Sequence, residues 1–131
     1  PDYARDGVIW IGLLYGTIYK SNDFGQTWNA APSGLPNDPV WSRSIVFSPD
    51  YARDRTIYIG ADNGLFRSTD AGAAWARIDG GLPAPKTGQQ VIMAVAISPA
   101  FATDNTLLVA TQDGGLSISR DRGDTWTVVD Q

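Results

Sequence analysis

The sequence predicts an all-β fold made of repeated, antiparallel four-stranded units. Two recurring peptides and the composition between them carry this prediction. The octapeptide occurs as SNDFGQTW at 21–28, STDAGAAW at 68–75 and SRDRGDTW at 119–126. The heptapeptide occurs as PDYARDG at 1–7, PDYARDR at 49–55 and, more loosely, PAFATDN at 99–105. Between them lie short runs rich in β-branched and aromatic residues, so a period of about 48 residues indicates repeated β units.

Four strands are expected in each unit, in a fixed order. The apolar innermost strand is expected at 40–47 and 91–97, buried on both faces. The second strand is expected at 8–12, 56–60 and 106–110, the third at 17–21, 65–68 and 116–119, and the outer one at 27–30, 75–78 and 125–129. Four strands per unit are typical of a β-propeller blade. We expect one domain, 1–131, with blades at 1–30, lacking its innermost strand, at 40–78 and at 91–130.

The octapeptide is expected to be structural and to form the turn between the third and outer strands. Short acceptor side chains suit bonds to backbone N–H groups, and glycine suits a positive φ. The tryptophan ring is expected to lock the hairpin onto its blade and to join neighbouring layers of sheet. The middle copy has Ala74 where the others have threonine, so one hydroxyl bond is dispensable. The predicted structural residues are Ser21, Asp23, Gly25, Thr27, Trp28, Ser68, Asp70, Gly72, Trp75, Ser119, Asp121, Gly123, Thr125 and Trp126.

Three further aspartates recur once per unit, in the heptapeptide. Asp6, Asp54 and Asp104 each stand just before a predicted second strand. A short carboxylate at that place caps backbone N–H groups of a turn, so these residues are interpreted as turn caps.

The pattern S-x-D-x-G-x-T-W resembles the Asp-box, or BNR, repeat of β-propellers that are sialidase-like, sortilin-like, photosystem assembly factor-like and xyloglucanase-like. The resemblance covers essentially the whole chain, as about two and a half to three blades. It implies that the octapeptides lie on the face opposite the usual ligand site. The alternative, a shared metal or catalytic site formed by their acidic residues, is disfavoured because the motif recurs in every unit.

Composition excludes several classes of function. The net charge is −4 and the ten Lys and Arg residues are scattered, which opposes binding to nucleic acid. The chain has no Cys and no His, which removes the thiolate and imidazole ligands and the commonest general base. No apolar run is long enough to cross a bilayer, so no membrane insertion is expected. We expect neither a metal ion nor a cofactor.

The number of blades predicts that the end sheets need partners. Closed propellers typically have about four to eight blades, and an open arc leaves strand edges and apolar faces uncovered. The expected partners are the remaining blades of a parent chain or other copies of this chain. The start at Pro1, without an initial Met, favours the parent chain.

Loops at the end of the sheets opposite the octapeptides vary between units and are the expected ligand face. An exposed aromatic ring among amide and carboxylate groups suits a glycan or a protein ligand. A plainer interpretation is that Asp62-Asn63-Gly64 and Gln112-Asp113-Gly114 are hairpin turns and that Trp41 is core. The candidate residues are Trp41, Arg43, Asp38, Asp62, Asn63, Gln112, Asp113 and Lys86.

The function expected from the sequence is a non-catalytic interaction or structural scaffold in a secreted or surface-displayed bacterial protein. A sialidase resemblance would require an arginine cluster, and Arg43 is the only arginine on an innermost strand. A glycosidase needs two carboxylates flanking one bond, for which Asp38 and Asp62 can be nominated. The alternative is therefore a fragment of a glycoside hydrolase whose catalytic residues lie outside this chain.

Overall fold

Three antiparallel sheets form the framework of the described part of the chain. A computed structural model of the 131-residue chain describes residues 3–13, 18–31, 35, 41–86 and 88–130. The strands are β1 Ile9–Gly12, β2 Ile18–Ser21, β3 Asn29–Ala30, β4 Ser42–Phe47, β5 Ile57–Ala61, β6 Gly64–Ser68, β7 Ala76–Arg77, β8 Ile92–Ile97, β9 Leu107–Thr111, β10 Gly115–Ser119 and β11 Thr127–Asp130. Each observed strand overlaps the run of sequence that predicted it.

Strand order in the sheets follows the order along the chain. The first sheet is β1-β2-β3, the second is β4-β5-β6-β7, and the third is β8-β9-β10-β11. β4 and β8 are the innermost strands of the second and third sheets, and β1 has no such partner among the described residues. The all-β class was predicted. The three sheets that the structure describes are not closed into a ring.

Three one-turn helices, which the sequence analysis did not predict, lie within the heptapeptides. They are α1 Tyr3–Asp6, α2 Tyr51–Asp54 and α3 Phe101–Asp104. The left-handed residues Arg55 (φ 54°) and Asn105 (φ 52°) end α2 and α3, and each donates its N–H to the carbonyl four residues earlier. None of the described helices is long and apolar enough to cross a membrane.

The aspartate that ends each helix caps the start of the next strand, as expected. Asp54 Oδ1 accepts a bond of 3.0 Å from the Thr56 N–H, and its Oδ2 accepts one of 2.7 Å from the Ser48 hydroxyl. Asp6 and Asp104 accept equivalent bonds from the second residue that follows each of them. The carboxylate thus links the end of each helix to the backbone at the start of the next strand.

Alternation along β5 sends its side chains to the two neighbouring sheets. Ile57 and Ile59 join a buried cluster with Trp10 of the first sheet. Tyr58 joins a second cluster with Leu107 and other residues of the third sheet. The hydrophobic core therefore consists of two layers, one on each side of the second sheet.

The innermost strands are less buried than the sequence predicted. Met93, Ala94 and Ala96 of β8 are exposed, because the described chain places a sheet against only one face of that strand. In β4, Arg43 is exposed and the other residues are half-buried, since no innermost strand of the first sheet adjoins it among the described residues. The expectation of burial on both faces was wrong because it presumed neighbouring sheets on both sides.

Candidate functional site

A buried serine hydroxyl organises each octapeptide turn. Ser21 ends β2 with its side chain buried, and its Oγ donates a bond of 2.7 Å to Asp23 Oδ1. The same oxygen accepts a bond of 2.8 Å from the Gly25 N–H. The turns built on Ser68 and Ser119 repeat both bonds within 0.1 Å. These bonds satisfy a buried hydroxyl and the turn backbone together, so the serine acts within the hairpin.

The carboxylates of the first and third turns are engaged by threonine. The Thr27 N–H donates to Asp23 Oδ1 at 2.9 Å, and the Thr27 hydroxyl donates to Oδ2. The Thr27 hydroxyl is the largest of the interactions that lower the pKa of Asp23 to about 2. Asp121 repeats this geometry with Thr125, and the Thr125 hydroxyl lowers its pKa to about 2. Both carboxylates are charged at neutral pH and bonded within their own turns.

The middle turn lacks the hydroxyl bond to the second carboxylate oxygen. The Ala74 N–H donates to Asp70 Oδ1 at 2.9 Å, and this backbone bond is the largest cause of the lowered pKa of Asp70. Alanine has no hydroxyl for the other carboxylate oxygen. A shallow hollow of about 210 Å³ lies here, lined in part by Asp70, Ala74 and the Trp75 ring.

Two consecutive left-handed residues shape each turn. The predicted positive φ is present at Gly25, Gly72 and Gly123, with values of 86°, 89° and 97°. The preceding residues, Phe24, Ala71 and Arg122, have φ of 59°, 60° and 63°, which no residue preference indicated. In the third turn the Arg122 N–H donates to Asn105 O at 3.0 Å, and Phe24 and Ala71 make the equivalent bonds. Each turn is thereby attached to the residue that follows the one-turn helix of its sheet.

Two of the octapeptide tryptophans, Trp75 and Trp126, contact the sheet that precedes their own, so they join neighbouring sheets as expected. Trp126 Nε1 donates a bond of 3.0 Å to the carbonyl of Ile78 in the second sheet. The Trp75 ring packs edge-to-face on Trp10 of the first sheet, with centroids 6.4 Å apart. Trp28 belongs to the first sheet, has no described preceding sheet, and donates to its own Gly25 O at 3.1 Å.

The three repeated carboxylates do not form a shared site, because each one accepts bonds within a different turn. Across the residues described, no three His, Cys, Asp or Glu side chains group where a metal ion could be held. The chemistry that these turns perform is therefore hydrogen bonding to their own backbone.

The candidate ligand face of the second sheet is at the opposite end of β5 and β6 from the octapeptide. Ala61 pairs with Gly64 at this end, so Asp62 and Asn63 form a two-residue hairpin turn. Arg43 Nε forms an ion pair with Asp62 Oδ1, and the Asp62 N–H donates to Trp41 O at 3.1 Å. Trp41 precedes β4 and is 44% exposed, so it is not a core residue. Arg43, Asp62 and Trp41 are thus brought together, although they are separated in sequence.

Among the described residues, the other predicted ligand-face residues do not join the group formed by Trp41, Arg43 and Asp62. Gln112 and Asp113 lie in the corresponding turn of the third sheet, where the Gln112 N–H donates to Val91 O at 3.0 Å. Lys86 is exposed in the loop between β7 and β8. Asp38, which was nominated as a catalytic carboxylate, lies outside the described residues. The Asn63 side-chain oxygen is buried and has no hydrogen-bond partner.

Comparison with known proteins places this arrangement of sheets in a recognised fold. No family model matches the chain. A xyloglucanase from Paenibacillus sp. is 30% identical over an alignment of 139 positions, gaps included, that covers 87% of this chain and 13% of that protein. The Niastella koreensis GH74 enzyme superimposes with a TM-score of 0.67 and 22% identity, over 93% of this chain and 19% of that chain. This chain folds as an open segment of a β-propeller.

Two further solved structures superimpose on this propeller segment. YCF48 from Cyanidioschyzon merolae has a TM-score of 0.62 and 22% identity, over 93% of this chain and 33% of its own. The extracellular domain of a putative one-component system from B. thetaiotaomicron has a TM-score of 0.69 and 21% identity, over 96% of this chain and 16% of that chain. The segment spans well under half the length of each of these four proteins, and the likenesses establish its fold.

Proposed function

We propose that this propeller segment is a non-catalytic interaction or structural scaffold in an extracellular bacterial protein. The observation that carries the proposal is the separation of two kinds of polar residue. Those repeated in every sheet, such as Asp23 and Asp121, form hydrogen bonds within their own turns. Those that differ between sheets, such as Trp41 and Arg43, lie at the opposite end of the strands. In this proposal, the octapeptide end of the sheets is structural and the opposite end binds a ligand.

The octapeptide turns are, in this proposal, Asp-boxes, and the three sheets are blades at 1–30, 40–78 and 91–130. Support comes from the serine-centred bonding that recurs in all three turns with distances equal to within 0.1 Å. The bonding is the same in all three turns, except that the middle turn has Ala74 in place of threonine.

The ligand face of the second blade is proposed to bind a glycan or a protein. Trp41 offers an exposed indole beside the Arg43–Asp62 ion pair. An aromatic surface next to fixed donors and acceptors suits a sugar ring, whose apolar face stacks while its hydroxyl groups form hydrogen bonds. The net charge of −4 disfavours nucleic acid.

An extracellular location is part of the same proposal. It is supported by the fold shared with the extracellular domain of the one-component system and by the similarity to a xyloglucanase. The partners are proposed to be further blades of a parent chain or other copies of this chain, since the sheets do not close.

A binding and hydrolysis experiment on this chain tests the proposal. We expect glycan-array screening followed by calorimetry to find a ligand whose affinity falls at least tenfold in Trp41→Ala. The matched control is Trp28→Ala at the octapeptide end, which should leave that affinity unchanged. Release of reducing ends from xyloglucan by the chain, abolished in Asp62→Asn, would contradict a non-catalytic role.

The second candidate function is a segment of a glycoside hydrolase. The 30% identity to a xyloglucanase favours it, although the segment corresponds to 13% of that protein. Here the catalytic carboxylates would lie outside this chain, and Trp41 would contribute only to substrate binding. Hydrolysis of xyloglucan by a longer parent chain, weakened by Trp41→Ala through KM and not kcat, would favour this candidate over the scaffold.

A further inference from the structure

The octapeptide turn of the middle sheet differs from the other two at one carboxylate oxygen. Asp70 Oδ1 accepts a bond of 2.8 Å from the Ser68 hydroxyl and one of 2.9 Å from the Ala74 N–H. In the first and third turns, a threonine hydroxyl also donates to the second oxygen of the aspartate. Within the described part of the chain, no donor bonds to Asp70 Oδ2. This oxygen can therefore accept a hydrogen bond from a ligand.

The hollow of about 210 Å³ lies beside this turn. Its lining residues come from the end of β6, the octapeptide and the start of β7, and they are Arg67, Thr69, Asp70, Ala74, Trp75 and Ala76. The middle sheet packs against the first sheet on one side and the third sheet on the other. The hollow is therefore not created by the lack of a neighbouring sheet.

The charged groups of the hollow are held in place by the fold. Arg67 Nη1 donates to Arg122 O at 2.9 Å and to Asp124 Oδ1 at 2.8 Å, so the third sheet fixes the guanidinium. The bond from the Ala74 N–H fixes the Asp70 carboxylate and is the largest cause of its lowered pKa, so this group is charged at neutral pH. Groups that are already ordered reduce the entropy cost of binding.

The two charges at the hollow indicate a neutral ligand that carries hydroxyl groups. The Arg67 guanidinium disfavours a cation, and the Asp70 carboxylate disfavours an anion. A hydroxyl group can donate to the carboxylate and accept from the guanidinium. Trp75 and the two alanines of the lining supply apolar surface, against which the C–H groups of a sugar ring can pack.

We propose that the middle octapeptide turn binds a neutral saccharide, with one sugar hydroxyl donating to Asp70 Oδ2 as the threonine hydroxyl does in the other turns. The site goes beyond the scaffold function and is separate from the ligand face at Trp41, which lies at the opposite end of the sheet. The hollow, at about 210 Å³, is smaller than the roughly 300–1,000 Å³ of pockets that enclose drug-sized ligands. We therefore expect it to hold a single sugar ring, with a dissociation constant in the millimolar range.

An NMR titration of the chain with the methyl glycosides of glucose, galactose, mannose and xylose tests the proposal. With at least one of them, the amide signals of residues 69–76 should shift in a saturable way, whereas those of residues 22–27 and 120–125 should not. A deoxy analogue that lacks the donating hydroxyl should bind at least tenfold more weakly. The four glycosides differ in the orientation of their hydroxyl groups, so the comparison also identifies which hydroxyl is used.

Ala74→Thr is the decisive variant. Its hydroxyl would donate to Asp70 Oδ2 and its side chain would fill part of the hollow, so the affinity should fall at least tenfold. Ala73→Thr adds the same group at the neighbouring exposed residue, which does not line the hollow, and should bind like the wild-type chain. The amide spectrum of each variant checks that it is folded, so that a loss of binding is not due to unfolding.

Equal affinity in Ala74→Thr and the wild-type chain would overturn the proposal. The same conclusion would follow if none of the four glycosides shifts residues 69–76, or if the first and third turns respond equally, because their aspartates already bond to threonine. Trp41→Ala should leave the shifts unchanged, and their loss in that variant would place the binding at the opposite end of the sheet. Failure at Asp70 would leave the scaffold function and the ligand face at Trp41 unaffected.

Discussion

The hydroxyl of Tyr58 in the second sheet donates a 2.9 Å hydrogen bond to the backbone carbonyl of Arg122 in the third. Arg67 Nη1 donates to the same oxygen at 2.9 Å and also pairs with Asp124. Burial raises the pKa of Tyr58 to about 12, so the hydroxyl keeps its proton and remains a donor. One carbonyl of an octapeptide turn thus receives two donors from the sheet before it.

Tyr58→Phe should weaken the contact between the second and third sheets. The ring stays in its buried site, while the Arg122 carbonyl loses one of its two donors, so we expect a loss of about 0.5–1.5 kcal/mol in the free energy of unfolding. Urea unfolding followed by tryptophan fluorescence measures it. Tyr3→Phe, at a 48% exposed position, is the control and should have little effect. Equal losses in both variants would contradict the assigned role of the bond.

Gly72→Ala should be severely destabilising, for two reasons. Gly72 has φ of 89°, and a Cβ there would lie 2.3 Å from the Trp10 ring. Backbone strain and overpacking together predict a loss of about 2–4 kcal/mol. Gly80→Ala is the matched control, because a Cβ at Gly80 would meet no atom within 4 Å. Gly72→Ala should unfold at a lower temperature than Gly80→Ala. If the two variants are equally stable, the turn is not packed as described.

Ala74→Thr should stabilise the middle turn. The new hydroxyl can donate to the second carboxylate oxygen of Asp70, as Thr27 and Thr125 do for their aspartates. Because the site is exposed, we expect a gain of about 0.5–1 kcal/mol. Ala74→Val, which has the same shape without the hydroxyl, separates the hydrogen bond from the added β-branching. The prediction fails if both variants have the same urea midpoint, or if NMR shows no further lowering of the pKa of Asp70.

Acid should remove part of the stability of the octapeptide turns. The pKa values of Asp23 and Asp121 are lowered from 3.8 to about 2 on folding. A carboxyl group whose pKa is lower in the folded state stabilises the fold fully at pH values above its unfolded-state pKa. That stabilisation is lost as the pH falls through its folded-state pKa. We expect the urea midpoint to fall between about pH 4 and pH 2 for this reason.

Thr125→Val isolates the cause of this acid dependence. The substitution removes the hydroxyl that most lowers the pKa of Asp121, so that pKa should rise towards its ordinary value. Carboxyl ¹³C shifts measured against pH report the change. Asp23, in a different turn, is the internal control and should keep its low pKa. An unchanged titration of Asp121 would rule out the Thr125 hydroxyl as the main cause.

Much of the architecture was predictable because it repeats. The four-strand order of the second and third sheets and the positive φ of Gly25 and its counterparts were inferred from pattern and spacing. The one-turn helices were missed, since four residues are too few to show helical periodicity. The recurring Ser-Pro-Asp/Ala-Tyr/Phe-Ala at 48–52 and 98–102 was the available signal for them.

For the candidate site, the sequence could identify loops that vary between units but not the partners within them. Arg43 and Asp62 are 19 residues apart, and their ion pair depends on the register between β4 and β5. The exposure of Trp41 also depends on that register, because the strand begins one residue later.

The sequence by itself determined the hairpins, because the bonds that shape them join residues two to four positions apart, such as Ser21, Asp23 and Thr27. Only the tertiary structure decided what each hairpin contacts. The bond from Trp126 to Ile78 joins residues 48 positions apart, and that from Tyr58 to Arg122 joins residues 64 apart. Local composition sets a turn, whereas such distant partners are fixed only when sheets pack face to face and bring unrelated segments within hydrogen-bonding distance.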